Sequence, residues 1–258
     1  MQQPQAYNWT ELNVNQGQWQ FVEGGWSQGV ADVIMPPYDL GDLNLAVCTD
    51  SAYQDFEASF EFRWDVGVTN AGFVFRARDA RHYYMLHFPV VGQHYRIEHF
   101  WGAISKVDES GFAKVVGNGK MEMIGGVPSE IGLWHKVRLV VKGSEIRAWI
   151  DGRPLAPVTD DTYSGPGYVG LSTYASLRAG AKSSFRNVRI RGKSAAGPAW
   201  DASVQPARNW FRVSDAGGMG CGSIVRAPNK DLLVTIGKGI ALDDRKQILT
   251  GRRVGFFL

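Results

Sequence analysis

The chain has 258 residues, of which 44% are hydrophobic and 12% aromatic, enough for a sizeable core. Thirty-one glycines and 11 prolines, with few apolar runs of helical spacing, favour an all-β class over helical ones. Lys+Arg 28 against Asp+Glu 25 leaves +3 without a phosphate-tracking Lys/Arg cluster, which argues against a nucleic-acid partner.

No apolar stretch approaches the ~18 residues of a membrane span. Cys48 and Cys221 lie far apart and imply no disulfide framework. The start MQQPQAYNWT lacks a basic n-region and an apolar h-region, so a secreted or periplasmic location presupposes a leader already removed.

In chain order, residues 18–35 read as two short strands around Gly24-Gly25, and Leu43 to Cys48 as another. Three strands follow in Tyr53 to Phe88. Gln93 to Trp101 alternates as one further strand, and residues 102–132, punctuated by glycine and serine, read as a hairpin and a long surface loop. Trp134 to Lys142 and Glu145 to Asp151 make a hairpin over Gly143-Ser144, and Asp151-Gly152 starts the next turn. Gly167 to Ser172 and Ser183 to Arg191 close the set.

About a dozen short strands predict an antiparallel two-sheet jelly-roll sandwich over residues 1–192, with its first and last strands paired to avoid open edges. Residues 193–200 read as a linker of small residues, and 201–258 as a short C-terminal β extension whose hairpin lies between Cys221 and Ile236.

The stretch Tyr53 to Phe88 carries the chemistry. Strict alternation puts Glu57, Ser59, Glu61 and Arg63 on one face and Ala58, Phe60, Phe62 and Trp64 on the other. Phe73 and Phe75 alternate with Val74 and Arg76, and Tyr84, Leu86 and Phe88 alternate with Tyr83, Met85 and His87. One face builds a core. The other offers carboxylate, guanidinium, imidazole and phenol, which suits a polyhydroxylated ligand. The candidate binding residues are Glu57, Glu61, Arg63, Arg76, Tyr83, His87 and Trp101, with Glu61 and His87 the candidates for any catalysis. A plain salt-bridge ladder across strands is the competing reading of the charges.

Asp55-Phe56, Asn70-Ala71-Gly72 running into Phe75-Arg76-Ala77, Tyr83-Tyr84, Trp134-His135-Lys136-Val137, Ile150-Asp151-Gly152, Gly167 to Leu171 and Phe185-Arg186-Asn187-Val188 occur in that order. Together they resemble the concanavalin-A-like lectin/glucanase superfamily, and within it the fructan-binding modules and the 3-keto-disaccharide hydrolase domain family. Gly220 to Thr235 resembles the opening of a BNR-repeat sialidase-type propeller, although no complete Asp box is present.

This resemblance implies an oligo- or polysaccharide-binding sandwich, an accessory module covalently linked to the catalytic domain of a secreted enzyme, sialidase-like or another exo-glycosidase. A glycosidase of the 3-keto-disaccharide type and a laminin-G-like interaction domain are the alternatives. The laminarinase-type acid triplet E-x-D-x-x-E is missing: Glu57-Ala-Ser-Phe-Glu61 lacks its middle aspartate and its spacing. Four of the five histidines, His82, His87, His94 and His99, crowd into eighteen residues, and His135 stands apart. No cofactor is required by this reading; a structural calcium, held by Asp160-Asp161 or by Asp39 and Asp42, is the one implied by the superfamily.

Overall fold

The structure, a computed structural model, describes residues 7–14, 16–22, 27–28, 34–35, 43–66, 69–93, 96–108, 113–116, 122–123, 131–175, 182–204, 224–226 and 232–234. Every regular element among them is a strand. In chain order they are β1 Thr10–Glu11, β2 Trp19–Val22, β3 Ser27–Gln28, β4 Ile34–Met35, β5 Leu43–Val66, β6 Thr69–Ala77, β7 Tyr83–Gln93, β8 Arg96–Val107 and β9 Ala113–Val115. They continue as β10 Glu122–Met123, β11 His135–Lys142, β12 Glu145–Ile150, β13 Arg153–Pro154, β14 Val158–Thr159, β15 Gly167–Ala175, β16 Lys182–Ala195, β17 Ile224–Arg226 and β18 Leu232–Val234.

The first sixteen form one curled antiparallel sheet, folded into two layers by β5. The first half of β5 pairs with β15 and β2, and its second half with β11 and β16. One layer therefore runs β8-β7-β6-β15-β5, and the other carries β16, the rest of β5, β11 and β12. Leu43 to Cys48 and the Tyr53 strand are thus one continuous 24-residue strand rather than two.

Rings from the two layers meet face to face: Phe60 stacks on Phe73 at 5.2 Å and Phe62 on Phe88 at 4.8 Å. Both pairs are buried, and each such ring contributes about 1.5–3 kcal/mol by leaving water. Leu45, Val47, Val74, Tyr83 and Met85 form a second buried cluster on the opposite side of the β5–β15–β6–β7 layer.

Other elements refine the sequence reading. β1 pairs with β16, joining the module's ends as expected. Gln93 ends β7 and pairs with Arg96 of β8, so of the strand read over Gln93 to Trp101 the part from Arg96 onward belongs to β8. β8 runs on to Val107 with β9 and β10 antiparallel beside it, in the region read as a hairpin and a long surface loop. The turn at Asp151-Gly152 has φ of 48° and 79°, the left-handed pair that a two-residue hairpin requires.

β16 continues to Ala195, and the chain then packs back on the sandwich, where Tyr168 Oη donates to the Pro198 carbonyl at 2.8 Å. β17 and β18 pair as a separate antiparallel hairpin. Cys221, Gly24 and Gly25 lie outside the described residues.

Candidate functional site

The exposed face of the β16–β5–β11–β12 layer is built by a phase change in β16. Phe185 and Val188 both point inward although they are three apart, because the register shifts between Arg186 and Arg189 and Asn187 adopts φ 52°. A bulge of this kind re-aims the side chains that follow it. Arg186, Arg189 and Arg191 consequently share the face with Glu57, Glu61 and Arg63, all half-buried.

Glu57 accepts from Arg138 Nε at 2.7 Å and from Arg191 Nη2 at 2.6 Å. Partial burial opposes its charge, but these arginine bonds outweigh that and hold its carboxyl below the usual range. Glu61 accepts from Arg186 Nε at 2.7 Å and from Asn187 Nδ2 at 3.1 Å. Arg63 Nε pairs with Asp65 at 2.5 Å.

Tryptophans underlie the guanidinium groups. Arg63 and Arg186 lie over Trp134 at 4.7 and 4.1 Å, Arg138 over Trp149 at 4.8 Å, and Arg189 and Arg191 over Trp9 at 4.7 Å each. Cation–π contact of this type fixes a guanidinium plane while leaving donors available at its edge.

Three of the sequence candidates are therefore together, and the others are elsewhere. Arg76 is not on this face. It is fully buried at φ 49°, donating from Nε and Nη2 to the Gln54 carbonyl at 3.0 and 2.8 Å, from Nη1 to the Tyr163 carbonyl at 3.2 Å and from Nη2 to the Gly143 carbonyl at 2.7 Å. Burial pulls its pKa down, opposed by Asp55 3.6 Å away. Two-residue alternation misassigned it because its left-handed backbone breaks the strand's phase.

Tyr83 and His87 share a face of β7 as expected, but that face is enclosed. The Tyr83 hydroxyl has no hydrogen-bond partner among the described residues. His87 Nε2 lies 2.9 Å from Ser105 Oγ, and burial lowers its pKa to about 3, so the imidazole is neutral at physiological pH. Trp101 stands opposite Met123; its side chain lies outside what is described.

The histidines do not gather. His82 pairs with Asp79 at 2.8 Å, whereas His135 pairs with Asp151 at 2.8 Å and packs on Phe62 and Trp64. His94 and the His99 side chain lie outside the described residues.

Asp160 accepts from Tyr84 Oη and from the Thr162 amide at 3.0 Å, with Lys106 Nζ 3.5 Å away. Burial opposes its charge, yet these donors hold its carboxyl below the usual range. A calcium ion would have to displace an ammonium and a phenol, so this donor set does not fit one. Asp161 is exposed, Asp39 and Asp42 lie outside the described residues, and no group of three or more His, Cys, Asp or Glu among the described residues has metal-holding geometry.

The residues missed were Arg138, Arg186, Arg189 and Arg191 and the tryptophans beneath them. Alternation in WHKVRLVVK signals Arg138; no pattern in the sequence signals the bulge that turns Arg186 outward with Arg189.

Among the described residues no helix is long and apolar enough to cross a membrane. The structure is similar to the carbohydrate binding module CBM66 from Bacillus subtilis, with TM-score 0.54 and 17% identity over 69% of this chain and 98% of that one. It is also similar to the Bacillus licheniformis beta-glucanase, with TM-score 0.48 and 10% identity over 74% of this chain and 100% of that one. Comparison with curated protein sequences gives no match. Sheet order and the first of these likenesses make the described body an antiparallel β-sandwich. A family model described as the 3-keto-alpha-glucoside-1,2-lyase-like domain matches residues 8–191, and the chain belongs to that family.

Proposed function

We propose that the sandwich binds a glycan on the exposed face of the β16–β5–β11–β12 layer. The observation that carries this reading is the lattice of half-exposed arginines, carboxylates and tryptophans around Glu57 and Glu61. Carboxylates accept from sugar hydroxyls, guanidinium groups donate to them, and aromatic rings offer apolar area. Family membership and the likeness to a carbohydrate binding module support the ligand class. Affinity electrophoresis through glycan-loaded gels tests it: retention of the chain, lost in Arg138→Ala with an unchanged melting temperature, is expected. Unchanged retention in that variant removes the assignment of this face.

The finer form of this reading is an accessory module of a secreted glycan-degrading enzyme, sialidase-like or another exo-glycosidase, with the β17–β18 hairpin opening the linked catalytic part. Fractionation of cells and medium checks the secretion it requires.

The family match favours a second reading, elimination on a 3-keto glycoside. The ketone acidifies the proton on C2; a base removes it, the C1–oxygen bond breaks, and the departing alcohol takes a proton. His87 is the neutral imidazole nearest this role, but a pKa of about 3 makes it a weak base. Glu57 and Glu61 are engaged by arginines, which suits recognition better than acid catalysis. Turnover of a 3-keto-glucoside, abolished in His87→Gln, replaces the binding reading with this one.

A further inference from the structure

Resting on the glycan-binding reading, we infer that the ligand is an acidic polysaccharide and that Arg189 takes one of its sulfate or carboxylate groups. Four arginines of the face are paired: Arg63 with Asp65, Arg138 and Arg191 with Glu57, and Arg186 with Glu61. Arg189 is not. Among the described residues it makes no ion pair, and its buried Nε has no hydrogen-bond partner. Glu11 stands opposite it on β1 but is exposed and forms no pair with it.

The surroundings of Arg189 form a cradle. Trp9 fixes the guanidinium from one side at 4.7 Å. Arg189 and Arg138 flank Ser59 from the two neighbouring strands, so the two arginines stand about 10 Å apart at their backbones. Ser59 has the shortest side chain of its row and leaves a shallow floor between them. Arg138 uses only Nε on Glu57, leaving its outer nitrogens to share an oxyanion seated over Ser59. Along the strand the floor is bounded by Glu57 and Glu61.

Charge selects the ligand class. The whole chain is +3, yet this one patch sets five arginines against Glu57, Glu61 and Asp65. A duplex nucleic acid, with a charge about every 1.7 Å of axis, would meet both glutamates. A polysaccharide with one anion per sugar places hydroxyls there instead, and these donate to the carboxylates. A charge-assisted bond from the half-buried Arg189 guanidinium to a ligand anion is stronger than a bond between neutral groups.

The test uses the whole chain and immobilised chondroitin sulfate, polygalacturonate and dextran, with wild type, Arg189→Gln and Arg147→Gln. Arg147, on the same layer, pairs with Glu145, so its loss changes net charge equally outside the cradle. Expected are salt-sensitive binding to at least one anionic polymer, a loss of about tenfold or more in Arg189→Gln, and under threefold in Arg147→Gln, with all melting temperatures alike. Equal losses in both variants overturn the cradle in favour of diffuse charge. Binding to dextran alone overturns the acidic ligand while glycan binding stands, and no binding to any polymer counts against both. Tighter binding to duplex DNA than to either anionic polymer also overturns the inference.

Discussion

Arg76 Nη2 donates to the Gly143 carbonyl at 2.7 Å, tying β6 to the β11–β12 turn in the opposite layer. The same guanidinium holds the carbonyls of Gln54 and Tyr163. Three backbone acceptors from separate segments thus converge on one buried cation. Gly167 permits the approach, since a Cβ there would lie 2.4 Å from the Arg76 carbonyl carbon.

Removing this buckle leaves three backbone carbonyls without their donor, that of Tyr163 buried. Arg76→Ala should cost about 3–5 kcal/mol in urea unfolding, and Arg76→Lys should recover only part because an ammonium lacks the planar fork. Asp55→Asn should cost under about 1 kcal/mol, because Asp55 is exposed. A stable Arg76→Ala variant that fails to bind glycan would falsify the structural role.

Tyr83 supplies the opposite case. Its hydroxyl is buried and has no partner among the described residues, and burial raises its pKa. Tyr83→Phe removes an unmet donor without leaving a cavity, so stability should be unchanged or higher by up to about 1 kcal/mol. A loss above that, measured by thermal unfolding, means that the hydroxyl has a partner.

His87 makes stability depend on pH. Its pKa is about 3 when folded, against an ordinary 6.5. Between those values the unfolded chain binds the extra proton, so stability is present above about pH 6.5 and falls as pH drops toward 3. Glu57 and Asp160, with lowered pKa values, lose their contribution only below the usual carboxylate range. His87→Gln should therefore flatten the melting-temperature profile between about pH 6.5 and 5, and a profile parallel to wild type contradicts the assignment.

Cys48 is buried, and desolvation, aided by the nearby Asp50 carboxylate, pushes its thiol up to about 11. At pH 8 it should react with a thiol reagent only after denaturation. Rapid modification of Cys48 in the native chain, read by peptide mass, contradicts its burial.

Alternation alone was enough to orient Glu57, Glu61 and Arg63 outward and Phe60, Phe62 and Trp64 inward, because a flat strand has a period of two and one wet face. The sequence likewise determined the all-β class and the hairpins at Gly143-Ser144 and Asp151-Gly152, where local turn chemistry suffices. Only the tertiary structure decided which way Arg76, Arg186 and Arg189 point. Their backbones pass through left-handed residues or a bulge, and that phase change is set by pairing with distant strands. It also decided that the face carrying Tyr83 and His87 is enclosed, since burial depends on what packs over a strand rather than on its own alternation. The sequence therefore specified the wet face of each regular strand, and long-range pairing chose which arginines arrive there.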